Sequence, residues 1–422
     1  MLLHVIIRPS SLPFQEGSVL SEKAWQDLYS EVGLALKPSP IRELLKLTKR
    51  PGMISFAGGN PDPAIFPVKQ FAEAAQIFAS RGEEVLQYGT TEGFEPLKTF
   101  LAEWMAPKMG RVTQSEEMLI TTGSQQVTDL FCSVMVNPGD TVIVEEPTYP
   151  GALHTMRNHR VRFLGVPCDE NGMQVELLPG LIAKARAEGQ KIKFIYSIVN
   201  FQNPSGYTLS AERRRRLLEI AVETGIPIYE DDPYGMLRYN GTDEPTIFSM
   251  DTQGMVLYAG SFSKILAPGS RVGWVVAPKD VTRKMVMVKQ GVDMCTSVVA
   301  QAAVYEYCRL GHLDGHLPKI LDHYRKKRDA MAEAFRSALP PDAVYSIPDG
   351  GVFFWIRLPG IDTKELFFKA VDKGVAFVVG ESFYPFGGGK DYLRACFTFA
   401  QPEEIAEGAR RLALAIKEVT GK

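Results

Sequence analysis

The sequence predicts an α/β protein: a larger domain on a mostly parallel sheet, then a smaller α+β domain. Three observations carry this. Between about residues 57 and 300, short β-rich runs alternate with charged, helical stretches, the pattern of strands joined by crossover helices. Several of the runs are continuously apolar, as strands buried on both faces must be. Beyond about residue 301 helices dominate and a short set of strands follows. The chain has 422 residues, more than one hydrophobic core normally serves.

The elements follow in order. Residues 1–56 are of mixed composition, with weak helical patterning in "SEKAWQDLYSEVG" and "SPIRELLKLTK", and Pro51-Gly52 closes them. Seven strand runs come next: "MLITTG", "TVIVEEPTY", "VRFLGVP", "KFIYSIVN", "IPIYEDDPY", "VLYAGSFS" and "VGWVVAP". Helical stretches at 125–136, 174–189 and 210–224 lie between them. The helix "LDHYRKKRDAMAEAFRSAL" then precedes the strands "GVFFWIRLP", "VAFVVG" and "YLRACFTFA". A last helix, "PEEIAEGARRLALAIKEVTG", has apolar positions at helical spacing. The expected division is an arm (1–56), a large domain (57–300) and a small one (301–422).

Composition narrows the function classes. A net charge of −2 gives no field for nucleic acid or an anionic membrane. The basic run 213–216 follows Ser210, a good N-cap, and reads as the solvated first turns of a helix. Five scattered cysteines form no CxxC pair, so neither a disulfide framework nor a zinc site is expected, and a reducing cytoplasm fits. The six histidines show no HExxH spacing, and His312 and His316 lack companions for a metal. The opening "MLLHVIIRPSS" has no basic segment before its apolar run and no small-residue cleavage site after it. No stretch is long enough to span a bilayer.

Ligands of open α/β sheets sit at the carboxyl ends of the strands, so the polar residues there are the candidates. Thr122-Gly123-Ser124-Gln125 opens a helix, which suits a phosphate, although Gly and Ser also serve as plain caps. Tyr149 could stack on a flat ring or simply pack. Asn203, before Pro204, either shapes a turn or binds a ligand. Glu230, Asp231 and Asp232 are costly at the end of a buried strand unless solvated or paired, and one of them could hold a ring-nitrogen cation. In "GSFSKILAPGSRVGW", Ser261, Ser263 and Arg271 could complete a phosphate cup, with Lys264 beside it.

Together these motifs resemble the fold-type I, pyridoxal-phosphate-dependent aminotransferases of class I, in the branch of the 2-aminoadipate and kynurenine/2-aminoadipate aminotransferases. The resemblance runs from "SPIRELLKLTKRPGMISFAGGNPDPAIFP" through "LQYGTTEG", "TTGSQQ", "EEPTYPG", "QNPSG", "YEDDPYG" and "YLRACF" to the final helix. It implies a homodimer acting on amino acids and 2-oxo acids. It implies that Lys264 carries the cofactor as a Schiff base and moves the proton, that Asp231 keeps the ring nitrogen protonated, and that Tyr149 stacks on the ring. Tyr234 and Asn203 would hold the ring oxygen. Ser124, Gln125, Ser261, Ser263 and Arg271 would form the phosphate cup, and Tyr88 would reach the phosphate of the neighbouring subunit. Arg394 would clamp the substrate carboxylate with Asn203 and one glycine of the 58–59 pair, taken as Gly59. Ser39 and Arg42, on a helix covering the substrate, would read an acidic side chain. The expected reaction is ping-pong transfer from 2-aminoadipate, an aromatic or a branched-chain amino acid to 2-oxoglutarate. Asn60 departs from the leucine of that branch. A lyase or decarboxylase of the same fold, or a non-enzymatic sensor, is the alternative.

Overall fold

The seven apolar runs become seven strands of one sheet. The computed structural model describes residues 25–36 and 50–421. Its strands are β1 (Ile54–Ser55), β2 (Met118–Thr121), β3 (Thr141–Glu146), β4 (Arg162–Asp169), β5 (Gly172–Met173), β6 (Ile192–Ile198), β7 (Ile228–Asp231), β8 (Val256–Ser261), β9 (Gly273–Val276), β10 (Phe353–Arg357), β11 (Val375–Ala376), β12 (Val378–Val379) and β13 (Tyr392–Cys396). The large sheet has the order β2-β9-β8-β7-β6-β3-β4-β5. Its centre is parallel, β9 runs antiparallel between β8 and β2, and β5 folds back on β4. β5 is an eighth strand beyond the seven expected. Two residues are too few to show any periodicity.

From β3 the chain builds outward on both sides, to β4 on one and to β6, β7 and β8 on the other. The order therefore reverses beside β3, and a crevice opens at the strand ends there. Four helices bear on the crevice directly or by support: α1 (Ser124–Met135), α2 (Ala211–Thr224), α3 (Lys279–Val292) and α4 (His312–Ala338). A fifth, α5 (Pro402–Thr420), packs along α4.

The run "VAFVVG" does not form one strand. β11 pairs in parallel with β1, while β12 pairs antiparallel with β13, in a three-stranded sheet ordered β10-β13-β12. The basic run departs from a solvated face at one residue. Arg213 and Arg216 do pair with carboxylates on the surface. Arg214 is fully buried, on the inward face of α2 with Leu217 and Ala221. Its guanidinium donates to the carbonyls of Leu209 (2.8 Å) and Val199 (2.9 Å) and to Asn200 Oδ1 (2.6 Å), bracing the turn after β6.

Within residues 25–36, Ser30 caps the short helix Glu31–Ala35 by accepting from the Gly33 N–H at 3.1 Å. The expected helix over 39–49, and with it Ser39 and Arg42, lies outside the described residues.

Candidate active site

Strand alternation sorts the three carboxylates that end β7. Successive side chains point to opposite faces, so Asp231 parts company with its neighbours. Glu230 accepts from the N–H groups of Ile247 and Phe248, both at 2.9 Å, at the start of a short helix. Asp232 is met by Lys108 Nζ (2.6 Å), Asn200 Nδ2 (2.8 Å) and the Tyr258 hydroxyl (2.9 Å). Burial pushes the Asp232 carboxyl up, but the lysine and the two donors outweigh it and leave it below its ordinary value. Among the described residues, Asp231 receives only the Tyr196 hydroxyl, at 2.7 Å on Oδ2. Its Oδ1 is buried without a partner among the described residues, and burial pushes its pKa up to about 7. A buried carboxylate oxygen left open is costly; it is a place for a cationic N–H of a ligand.

Lys264 follows β8 and points to the segment after β1. Its Nζ donates to the Gly59 carbonyl at 2.6 Å. Desolvation lowers the amine to about 8, and the positive charges of Arg394 and Arg271 act in the same direction. Arg394, on β13, is buried. It donates to Asn203 Oδ1 at 2.7 Å and to the Ala57 carbonyl at 2.9 Å, while its Nε has no acceptor among the described residues. Phe353 lies 4.0 Å from its guanidinium carbon and Phe383 5.0 Å, which holds the fork flat. A Cβ at Gly59 would stand 3.0 Å from Phe353 Cζ. Tyr234 is buried with its ring edge-on to Phe353. Burial raises its phenol well above the ordinary value, so it stays protonated.

A second group of polar residues gathers where β2, β8 and β9 meet. Gly273 pairs with both Thr121 and Ser261, so one register brings the ends of β2 and β8 together. Ser261 Oγ and Ser263 Oγ are 3.0 Å apart, and Arg271 Nη1 lies 3.5 Å from Ser263 Oγ. Arg271 Nη2 also donates to the Thr122 carbonyl at 3.2 Å. Arg271 sits at φ +51°, a conformation that costs a non-glycine residue energy and recurs at functional sites. Gly123, at φ +76°, leaves room that a Cβ would take from Arg271 Nη2. The helix α1 starts at Ser124 with no side chain capping it, so its first N–H groups face the cup. The Gln125 side chain turns instead to the Gly151 carbonyl (3.0 Å) and the Tyr149 hydroxyl (3.5 Å).

Tyr88 stands apart. It is 79% exposed on this chain, and none of the residues above is bonded to it. Ser39 and Arg42 fall outside the described residues. Supporting residues that sequence reading passed over include Tyr196, Lys108, Glu145 and Lys289. Glu145 is buried and accepts from Ser197 Oγ (2.7 Å), the Ile198 N–H (3.1 Å) and Gln202 Nε2 (3.1 Å), fixing the turn that carries Asn203. Lys289 Nζ grips Asp293 at 2.7 Å, and Asp293 accepts from Thr122 Oγ1 (3.0 Å) and Gln126 Nε2 (2.8 Å) behind the cup. Tyr196 stands opposite Tyr229 and so shares a face with Asp231. Finding it needs the strand register, which one sequence does not contain.

Comparison with known proteins gives the family. The family model described as "Aminotransferase class I and II" matches residues 51–412. The chain belongs to this family. Aromatic-amino-acid aminotransferase 1 of Thermococcus litoralis is 44% identical over 93% of this chain and 95% of its own. The kynurenine aminotransferase of Pyrococcus horikoshii, solved in complex with PMP, superposes with a TM-score of 0.90 at 41% identity, covering 93% and 98% of the two chains. LysN, the α-aminoadipate aminotransferase of Thermus thermophilus, solved with N-(5'-phosphopyridoxyl)-L-leucine, does so with a TM-score of 0.87 at 38% identity, covering 94% and 99%. The protein is an aminotransferase of fold type I, and its cofactor is pyridoxal phosphate. These relatives favour transamination over the lyase, decarboxylase and sensor alternatives.

Proposed function

We propose that this aminotransferase moves the amino group of 2-aminoadipate, an aromatic amino acid (kynurenine included) or a branched-chain amino acid to 2-oxoglutarate, in two half-reactions that alternate at one site. The observation that carries the reading is the buried Arg394 fork, held by Asn203 and Ala57 close to the Lys264 amine. A fork of that kind takes a carboxylate bidentately, and both partners of a transamination bring an α-carboxylate.

The residues present fit the cofactor. The open Oδ1 of Asp231 is matched by a protonated ring nitrogen. The space kept by Gly123 before Arg271, Ser261 and Ser263, with the uncapped start of α1, matches a phosphate. Tyr149 is offered to the ring face, and Tyr234 with Asn203 to the ring oxygen. Bound there, pyridoxal phosphate supplies an electron sink for charge developing at the substrate Cα. Arg394, with Asn203 and Gly59, turns the Cα–H bond toward Lys264. Lys264 Nζ, lowered to about 8 by desolvation, is free enough of its proton near neutrality to take one from Cα and return it. Ser39 and Arg42 read the side chain, Arg42 favouring acidic ones.

The reading extends to assembly. Tyr88, exposed on its own chain, serves the phosphate of a second copy, so the active unit is a homodimer with shared sites. All five cysteines are free thiols, which suits the cytoplasm.

The test is the visible spectrum of the purified holoenzyme with a panel of amino acids and then 2-oxoglutarate. The cofactor band is expected to bleach with an amino acid and return with the oxo acid, and the rates rank the donors. A band that shifts and never cycles would sink the two-half-reaction scheme.

A further inference from the structure

A buried charge pair lies behind the active site, in none of the roles above. Asp62 and Lys327 are each almost wholly inaccessible, and their side chains are in direct contact. The Asp62 carboxylate is saturated. Oδ2 also takes His323 Nε2 at 2.8 Å and Gln401 Nε2 at 3.1 Å, and Oδ1 takes the Ala64 N–H at 3.0 Å. The Asp62 N–H donates to the Tyr324 hydroxyl at 3.1 Å. Three of these partners, His323, Tyr324 and Lys327, belong to α4, and Gln401 immediately precedes α5.

The pair is tied to the site through one short segment. Lys327 donates onward to the Thr398 carbonyl at 2.9 Å, and Thr398 Oγ1 donates to the Asn60 carbonyl at 2.7 Å. Asn60 and Asp62 thus fix the end of residues 57–62. The start of that segment holds two cationic groups of the site: the Ala57 carbonyl takes Arg394 Nη2 at 2.9 Å, and the Gly59 carbonyl takes Lys264 Nζ at 2.6 Å. A glycine pair has little stiffness of its own, so its position is set by what anchors its ends. A buried ion pair is a poor way to gain stability. Its merit is directional: four donors allow the Asp62 carboxylate a single placement.

We infer that Asp62, locked by Lys327, is a positioning residue for substrate-carboxylate binding: it sets the Gly58-Gly59-Asn60 segment against Arg394. The inference rests on reading Arg394 as the carboxylate clamp. It names a residue that touches neither substrate nor cofactor, and predicts which kinetic constant that residue controls.

The experiment compares Asp62→Asn, Thr398→Val and Arg394→Ala with the parent holoenzyme. It reads KM for an amino acid and for 2-oxoglutarate, kcat, and cofactor affinity by absorbance titration. Asp62→Asn is expected to raise both KM values about tenfold, with kcat changed less than about threefold and cofactor affinity unchanged. Thr398→Val deletes the bond to Asn60, together with the contact to Cys396 Sγ, and keeps the charge pair. It is expected to raise both KM values about threefold, and it decides the matter if Asp62→Asn does not fold. Raised KM in Arg394→Ala with unchanged KM in the other two overturns the anchor and leaves the clamp standing. Unchanged KM in Arg394→Ala overturns the clamp, and the anchor with it. A loss of cofactor affinity as large as the rise in KM would make Asp62 a general structural residue and overturn the inference.

Discussion

At the residue scale, three adjacent carboxylates acquire three different fates from one alternation. Glu230 caps a short helix, Asp232 pairs with Lys108, and Asp231 keeps an oxygen open. The open oxygen has a measurable cost. The unfolded Asp231 carboxyl loses its proton near 3.8, whereas the folded one keeps it to about 7. The folded state therefore binds more protons between those values, and stability falls as pH rises through that window. Asp231→Asn should make the cofactor-free protein more stable than the parent above pH 7, by at most about 4 kcal/mol, while activity collapses; thermal melts from pH 4 to 8 check the sign. Lys264→Ala should retain the fold by circular dichroism and lose transamination by about 10³-fold or more. The parent amine is lowered to about 8, and only the neutral form is a nucleophile. Cofactor capture by the apo-protein should thus speed up with pH and level off above about 8. A rise continuing past 10 would mean that desolvation does not act on Lys264.

At the element scale, the proposed phosphate cup depends on registry more than on any one side chain. The pairing of Gly273 with both Thr121 and Ser261 joins two strand ends, and α1 starts beside them. Behind the cup, Lys289 on α3 holds Asp293, which holds Thr122 and Gln126. Asp293→Ala should weaken cofactor binding about tenfold, since breaking a partly buried charge network typically costs more than one kcal/mol; equilibrium dialysis of the cofactor checks it. The strands of this region are legible in the sequence because they are continuous apolar runs, and their polar ends stand out against them. The anchors behind the cup are not: Lys289 and Asp293 look like an ordinary surface i, i+4 pair. "VAFVVG" misleads for a related reason. Its apolar run is continuous, but the two halves bond to different neighbours.

At the scale of the whole molecule, the question is whether one chain makes a complete site. Tyr88 is 79% exposed and bonded to none of the site residues. If the sites are shared, a refolded mixture of Lys264→Ala and Tyr88→Ala chains should regain about a quarter of parental activity. Half of the dimers would be mixed, and each mixed dimer would have one intact site of two. Two inactive chains that stay inactive when mixed would place Tyr88 in its own subunit's affairs. Arg42→Ala should slow 2-aminoadipate more than an aromatic donor, about tenfold against little change, in the rates of cofactor-band bleaching.

The amino-acid sequence by itself determined the α/β class, the seven main strands and the residue types offered at their ends. Strand burial and strand-end chemistry are local properties, written in runs of five to ten residues. It also determined the resemblance to class I aminotransferases, because the motifs occur in a set order. Only the tertiary structure decided which of the three carboxylates at the end of β7 stays open, that Arg214 is buried, and that Asp62 meets Lys327 across 265 residues. Those outcomes depend on which face of a strand meets which neighbour, and on partners far apart in the chain. No local pattern records them, because the energy of a buried charge is set by the groups that surround it in space.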